Sequence, residues 1–343
     1  MSVVTLIGAG QMASALTFPL FENGHEVRLV GSPLDDAVID RLREDNYHVN
    51  LRRTLHDNYI KCADVKEAIK GADLIVCGIS SFGVEWFADE ILPILDESIP
   101  LISVTKGMLD YEDGTMQTYP EYWQEKLPEG SKLRLYAIGG PCTARDLSDH
   151  DPSFVAYCGP DFETLEWIRS LFSTDYYIIS LTKDVVGLEC AVALKNGYAL
   201  GTALAIGIKE KLGDDGIDHN NMKSALFQES VKEMLELLRI VGGGVDNIMF
   251  AAGDLDVTVS AGRSRTVGLL LGKGYTIEET LEQLQGQTLE AVVIATRTAR
   301  AVKALAKAGK VSIDDFPLLM HVDGLLNEHA TLNIPWKKFE RHM

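Results

Sequence analysis

Basic residues are scarce in this chain: 32 Lys and Arg stand against 50 Asp and Glu over 343 residues, a formal net charge of −18. A field of that sign repels nucleic acid and anionic membranes at long range, so neither is an expected partner, although a local basic pocket still suits a small phosphate. Cysteine is scarce too. Cys62, Cys77, Cys142, Cys158 and Cys190 are odd in number and scattered, without the CxxC pairs of a zinc site or redox motif; no metal is expected, and a reduced cytoplasm fits. Neither a basic n-region nor a small-residue cleavage site precedes the strand-like Val3-Val4-Thr5-Leu6-Ile7, so no secretory address is expected. Pro/Ser-rich linkers, repeats and low-complexity segments are also missing. One run, residues 185–208, has the apolar character of a membrane span, but Glu189, Lys195 and Asn196 lie inside it. A charge at the bilayer centre costs about 2.5–3.5 kcal/mol, so the run reads as a buried helix of a soluble protein.

What is present has a clear order. Up to about residue 184, short β-branched runs at 3–7, 27–30, 74–78, 101–104, 133–138, 154–158 and 176–180 alternate with helical patterns such as 82–95 and 162–172. That alternation predicts a parallel sheet with crossover helices. Beyond Asp184 the chain turns to long Ala/Leu-rich stretches, 185–212, 221–241, 277–285 and 290–308. The fold expected is α/β: a Rossmann-type doubly wound domain over 1–184, then an all-α domain over 185–343.

The first strand runs into Gly8-Ala9-Gly10-Gln11-Met12-Ala13 and then an apolar helix through Leu16, Leu20 and Phe21. This is GxGxxG/A in the context it requires: Gly8 for the tight turn, Gly10 for backbone approach to a diphosphate, Ala13 for close packing of helix on sheet. The anion would sit on the helix N-terminus, so NAD or NADP is the cofactor expected. At the end of the second strand, Leu29-Val30-Gly31-Ser32 carries no acidic residue for the ribose 2′-hydroxyl. Arg41 and Arg53 are candidates for a 2′-phosphate, and the choice between NAD and NADP stays open.

Five polar segments follow. Lys106, in Ser103-Val104-Thr105-Lys106-Gly107, comes after a strand whose carboxyl end faces the ligand crevice of an open parallel sheet. Gly139-Gly140-Pro141-Cys142-Thr143-Ala144 suits close backbone approach to a ligand; the alternative is a tight turn before a helix with Pro141 near its first position. Cys142 has no basic neighbour to activate it. Lys195-Asn196 is embedded in apolar helix, where a lysine must find a partner or lose its charge; Glu189, six residues earlier, lies on another face. Asp254, in Ala251-Ala252-Gly253-Asp254-Leu255, is the candidate partner. Gly262-Arg263-Ser264-Arg265 offers guanidinium groups suited to phosphate, or an exposed basic turn.

In this order, GAGQMA, SVTKG, GGPCTA, ALKNGYALG, AGDLDVT, GRSR and FPLL resemble the NAD(P)-dependent glycerol-3-phosphate dehydrogenase family over nearly the whole chain. The resemblance implies hydride transfer between the nicotinamide and dihydroxyacetone phosphate or sn-glycerol 3-phosphate in a homodimeric enzyme. It implies that Lys195 is the proton donor or acceptor with Asp254 and Lys106 beside the chemistry. Substrate contacts would come from Lys106, Gly140, Lys195, Asn196, Asp254, Thr258, Arg263 and Ser264. Cofactor contacts would come from Gly8, Gly10, Gln11, Met12, Ala13, Ser32, Phe82, Lys106, Ala144, Arg263 and Glu290. Three motifs depart from the family pattern: Ser264 stands where Asn is usual, Cys142-Thr143 follows the Gly-Gly-Pro, and Ala291 stands where Gly usually follows Glu. These touch the substrate tail, so a dehydrogenase of another small phosphorylated or anionic keto-alcohol is the second reading, and an idle nucleotide-binding redox sensor the third.

Overall fold

A computed structural model describes residues 1–56, 60–62, 64–260, 262–286 and 289–340; the side chains of 60–62, Cys62 among them, lie outside the description. In chain order the strands are β1 (Val3–Ile7), β2 (Glu26–Val30), β3 (Tyr47–His48), β4 (Arg53–Thr54), β5 (Ile60–Cys62), β6 (Leu74–Cys77), β7 (Leu101–Ser103), β8 (Met108–Asp110), β9 (Met116–Thr118), β10 (Leu135–Gly139), β11 (Ser153–Cys158) and β12 (Tyr177–Thr182). The helices are α1 (Gln11–Glu22), α2 (Asp36–Asp45), α3 (Val65–Ala68), α4 (Val84–Trp86), α5 (Tyr119–Lys126), α6 (Ala144–Ser148), α7 (Phe162–Phe172), α8 (Val185–Leu212), α9 (Asn220–Ile240), α10 (Ile248–Ser260), α11 (Arg263–Lys273), α12 (Ile277–Gln283), α13 (Glu290–Lys307) and α14 (Pro317–Asn327). The chain forms two compact units: Met1–Lys106 with Thr118–Glu189, and Gly107–Gln117 with Cys190–Met343.

The first unit is built on an eight-stranded sheet of order β12-β11-β10-β7-β6-β1-β2-β5. The central strands β10, β7 and β6 are buried at every position, as expected of strands covered on both faces, and β6 is Leu-Ile-Val-Cys. The order reverses beside β1, which pairs in parallel with β2 on one side and β6 on the other. Such a switch point opens a crevice at the carboxyl ends of the strands. The doubly wound sheet is therefore as expected, with one correction: β10 and β11 are antiparallel. The helix between them, α6, has only five residues. It spans about 7 Å at 1.5 Å per residue, too little to carry the chain back along strands rising about 3.3 Å per residue.

Residues 82–95 are also not one helix. They form a 3₁₀ turn (Ser81–Gly83), α4, a π turn (Phe87–Ile91) and a second 3₁₀ turn (Leu92–Ile94). Pro93 lacks an N–H and its ring would strike the carbonyl four residues back, so the ladder changes pitch ahead of it.

The second unit is mostly helical and gathers around α8. That helix has 28 residues and is long and apolar enough to cross a bilayer, but 83% of its most apolar stretch is buried within the fold. Leu194, Tyr198 and Leu204 of α8 share a core with Leu237 of α9, Leu255 of α10, Leu271 of α11, Val302 of α13 and Leu318 of α14. Helices α10, α11 and α14 are additions to the sequence-based assignment. The segment containing β8 is tied to α13: Arg297 donates to the Met108 carbonyl at 2.8 Å, and Arg300 pairs with Asp110 through both its Nε and Nη2.

Candidate functional site

In the first unit, Gly8 has φ +102°, and a Cβ there would lie 2.8 Å from the Gly78 carbonyl carbon. A Cβ on Gly78 would lie 2.3 Å from that of Ala13. Gly8, Ala13 and Gly78 thus let α1 enter close to the sheet. Gly10 is the N-cap of α1 and no side chain caps the helix, so amides of the first turn are left for an anion. Gln11 is exposed and Met12 half-buried at this opening. These residues fit a dinucleotide diphosphate.

Two side chains that sequence reasoning missed clamp the loop at Ala9. Its N–H donates to Asp35 Oδ2 at 2.9 Å, and its carbonyl meets His48 Nε2 at 2.8 Å. Because His48 Nδ1 accepts from the Leu51 amide at 3.0 Å, Nε2 must carry the proton. Burial lowers the His48 pKa and keeps the ring neutral. The arginines offered for a 2′-phosphate are both committed elsewhere, Arg41 to Asp45 and Arg53 to Asp149.

The turn after β7 is fixed by Thr105, whose hydroxyl donates to the Ile79 carbonyl at 2.9 Å and whose amide donates to Ser103 Oγ at 3.0 Å. Half-buried Lys106 then donates to the Gly140 carbonyl at 3.1 Å, so these two predicted positions are brought together. Thr143 caps α6, which places Ala144 at its first residue. Phe82 stands 61% exposed on its 3₁₀ turn. Close to Lys106 in electrostatic terms is a group not assigned a role by the sequence: Glu189, at the start of α8, is buried and neither carboxyl oxygen has a hydrogen-bond partner among the described residues. Burial pushes this carboxyl up to about 8, against the opposing pull of Lys106. Cys77 and Cys158 are buried thiols raised by desolvation, the reverse of activation.

In the second unit, Lys195 of α8 donates to Asp254 Oδ1 of α10 at 2.7 Å, with the side chains 13% and 1% exposed. Helix α10 therefore supplies the lysine of the apolar helix with the carboxylate that it needs. Thr258, one turn on, donates to the Asp254 carbonyl at 2.6 Å. Ser264 Oγ reaches the buried Asn196 Oδ1 at 3.4 Å, so the residue that departs from the family pattern contacts the one beside the lysine. Arg263 is exposed at the first position of α11, behind an N-cap, Gly262, that provides no side-chain bond. It has no ion pair among the described residues. A guanidinium over open helix amides suits a phosphate; the Gly-Arg-Ser-Arg segment is a helix start rather than a turn. Glu290 opens α13 and is half-buried. Among the described residues no group of three His, Cys, Asp or Glu is placed to hold a metal ion.

The family described as NAD-dependent glycerol-3-phosphate dehydrogenase N-terminus matches residues 3–162, and its C-terminal counterpart matches residues 184–336. An NADP(+)-dependent glycerol-3-phosphate dehydrogenase of Archaeoglobus fulgidus is 31% identical over 316 residues, 91% of each chain. A glycerol-3-phosphate dehydrogenase [NAD(P)+] of Bacillus pumilus is 28% identical over 94% of this chain and 90% of its own. The crystal structure of glycerol-3-phosphate dehydrogenase from Coxiella burnetii shares the fold, with a TM-score of 0.80 at 22% identity, over 98% of this chain and 97% of that one.

Proposed function

The chain belongs to the NAD-dependent glycerol-3-phosphate dehydrogenase family, and we propose that it reduces dihydroxyacetone phosphate to sn-glycerol 3-phosphate, and the reverse, with Lys195 as acid/base. The nicotinamide, when bound, supplies or takes the hydride at C2. The protein then has to hold the dinucleotide, fix the phosphate end of the substrate, and move one proton at the C2 oxygen. The reading assigns the first task to the opening glycine loop. Arg263 takes the second, as a charge on the substrate phosphate assisted by the α11 amides. Lys106 and Asn196 orient the short carbon chain.

The observation that carries the proposal is the Lys195–Asp254 pair at 2.7 Å, almost sealed from water. An ammonium held by a carboxylate in a dry setting donates to an alkoxide as it forms and takes the proton back in the other direction. Asp254 keeps Nζ aimed. We assign the protein to the cytoplasm as a homodimer on the family resemblance. Its contact with Asn196 makes Ser264 the position through which a second reading, a related phosphorylated keto-alcohol, gains support.

Purified protein is expected to oxidise a reduced nicotinamide with dihydroxyacetone phosphate. Lys195→Ala is expected to lower kcat about 10²–10⁴-fold with dinucleotide affinity nearly unchanged. Absence of turnover with this substrate, beside turnover of another phosphorylated keto-alcohol, would favour the second reading; an effect of Lys195→Ala below about threefold, against the range for a positioned acid/base, would remove the lysine from the chemistry.

A further inference from the structure

The geometry points to Asp35 as the residue that reads the adenosine ribose and makes this site select NAD(H) over NADP(H), an inference that rests on the dehydrogenase reading above. In Rossmann-type sites the ribose 2′-hydroxyl is bound by an acidic residue at the end of the second strand. Here β2 ends at Val30, beside Ile7 of β1, and the Gly8 amide donates to the Val30 carbonyl at 2.8 Å. The tip of β2 therefore lies against the Gly8-Ala9-Gly10 loop, but the residues immediately after it, Gly31 and Ser32, are not acidic.

The missing carboxylate arrives from farther along. A turn over Ser32-Pro33-Leu34-Asp35 closes with the Asp35 amide donating to the Ser32 carbonyl at 2.9 Å, and proline at its second position presets the bend. Asp35 is folded back onto the loop, where Oδ2 accepts from the Ala9 amide at 2.9 Å, the Ser32 amide at 2.8 Å and the Ser32 hydroxyl at 2.6 Å. All of its side-chain hydrogen bonds among the described residues fall on this one oxygen. Oδ1 is left as an acceptor, fixed in place by the bonds its partner oxygen makes, and a ribose hydroxyl is a donor of matching chemistry.

A 2′-phosphate would meet the same carboxylate as a like charge. Arg41 and Arg53 are held by Asp45 and Asp149, and His48, on the other side of Ala9, is kept neutral by burial. The Archaeoglobus relative is named NADP(+)-dependent, so this selectivity would distinguish the chain within its family rather than follow from membership.

The test is equilibrium binding. NADH and NADPH are titrated separately into the purified protein, with nicotinamide fluorescence as the readout, and the titrations are repeated on Asp35→Asn, which retains an acceptor for Ala9 and loses the charge. The parent is expected to bind NADPH at least about tenfold more weakly than NADH, and the variant to bring the two within about threefold, mainly by tightening NADPH. Equal affinities in the parent, or a preference for NADPH, overturn the inference and leave the dehydrogenase reading standing. Loss of both nucleotides in equal proportion in the variant also overturns it, because Asp35 would then only brace the loop. Binding of neither nucleotide by the parent defeats the dehydrogenase reading and this inference with it. If Asp35→Asn fails to fold, Asp35→Ser provides the same comparison.

Discussion

Glu189→Gln should make the protein more stable, by a margin that grows as pH rises from the acid range to about 8. The parent carboxyl is 1% exposed and both of its oxygens lack hydrogen-bond partners among the described residues. Burial moves it from 4.5 to about 8, with Lys106 pulling the other way. Between those values the folded chain holds a proton that the unfolded chain releases, so stability falls as pH rises through the window. The contribution is fully present below 4.5 and lost as pH passes about 8. At about 1.4 kcal/mol per pH unit, the whole window corresponds to an upper bound of about 5 kcal/mol. Relaxation and water entry reduce such penalties, which makes about 2–3 kcal/mol the expected effect. Glutamine has the same shape and stays neutral throughout. Urea unfolding should therefore give matching midpoints for parent and variant near the acid end of the window. Around pH 8.5 the variant should have the higher Cm with an unchanged m-value, since Cm tracks stability and m tracks exposed surface. Stability profiles that run parallel across the window would refute the burial argument.

Two further substitutions test the frame of the site. Glu233 accepts from the Leu318 amide at 2.7 Å, the Leu319 amide at 3.0 Å and the Tyr198 hydroxyl at 3.0 Å. Glu233→Gln leaves one oxygen for donors that need two, so a buried amide of the first turn of α14 loses its acceptor, at a cost of about 1–3 kcal/mol; an unchanged denaturation midpoint would contradict this. Gly78→Ala would set a Cβ 2.3 Å from that of Ala13, closer than any real contact, and α1 must shift off the sheet. Overpacking of this kind costs about 1–3 kcal/mol, and the diphosphate loses its aligned amides, so both the melting temperature and NADH affinity should fall; a fall in neither would mean that the close approach is not needed.

The parts of the fold that could be read from sequence are those whose information is local. Val3 to Ile7 followed by Gly8, Gly10 and Ala13 needs no distant residue to be recognised, because strand, bend and helix are consecutive. Lys195 was legible for a different reason: an ammonium within an apolar run states a need for a carboxylate, and Asp254 was a polar interruption of the right kind. What failed was local pattern without contrast. Helix α10, Ile-Met-Phe-Ala-Ala-Gly-Asp-Leu-Asp-Val-Thr-Val-Ser, has no continuous polar face for a 3.6-residue period to reveal, and in α11 the two arginines at its start resemble a surface turn until the helix behind them is known.

Asp35 and Glu189 mark the remaining limit. Asp35 lies past the strand end where an acidic residue is sought, and only the turn closed by its amide on the Ser32 carbonyl brings the carboxylate back to Ala9. Its role depends on a bend whose residues, Ser-Pro-Leu-Asp, are ordinary for a turn and carry no sign of where the last side chain will point. For Glu189 the sequence established that Lys195 lay on another helical face, which removed one partner and identified no other. Burial from surrounding elements then decides its charge, and burial is a property of the assembled fold rather than of helical spacing. A carboxyl that the sequence leaves as an unpaired anion thus becomes, on folding, a group that keeps its proton at neutral pH. That reversal follows from desolvation outweighing the attraction of Lys106, and the alkaline stability of Glu189→Gln measures the difference between the two.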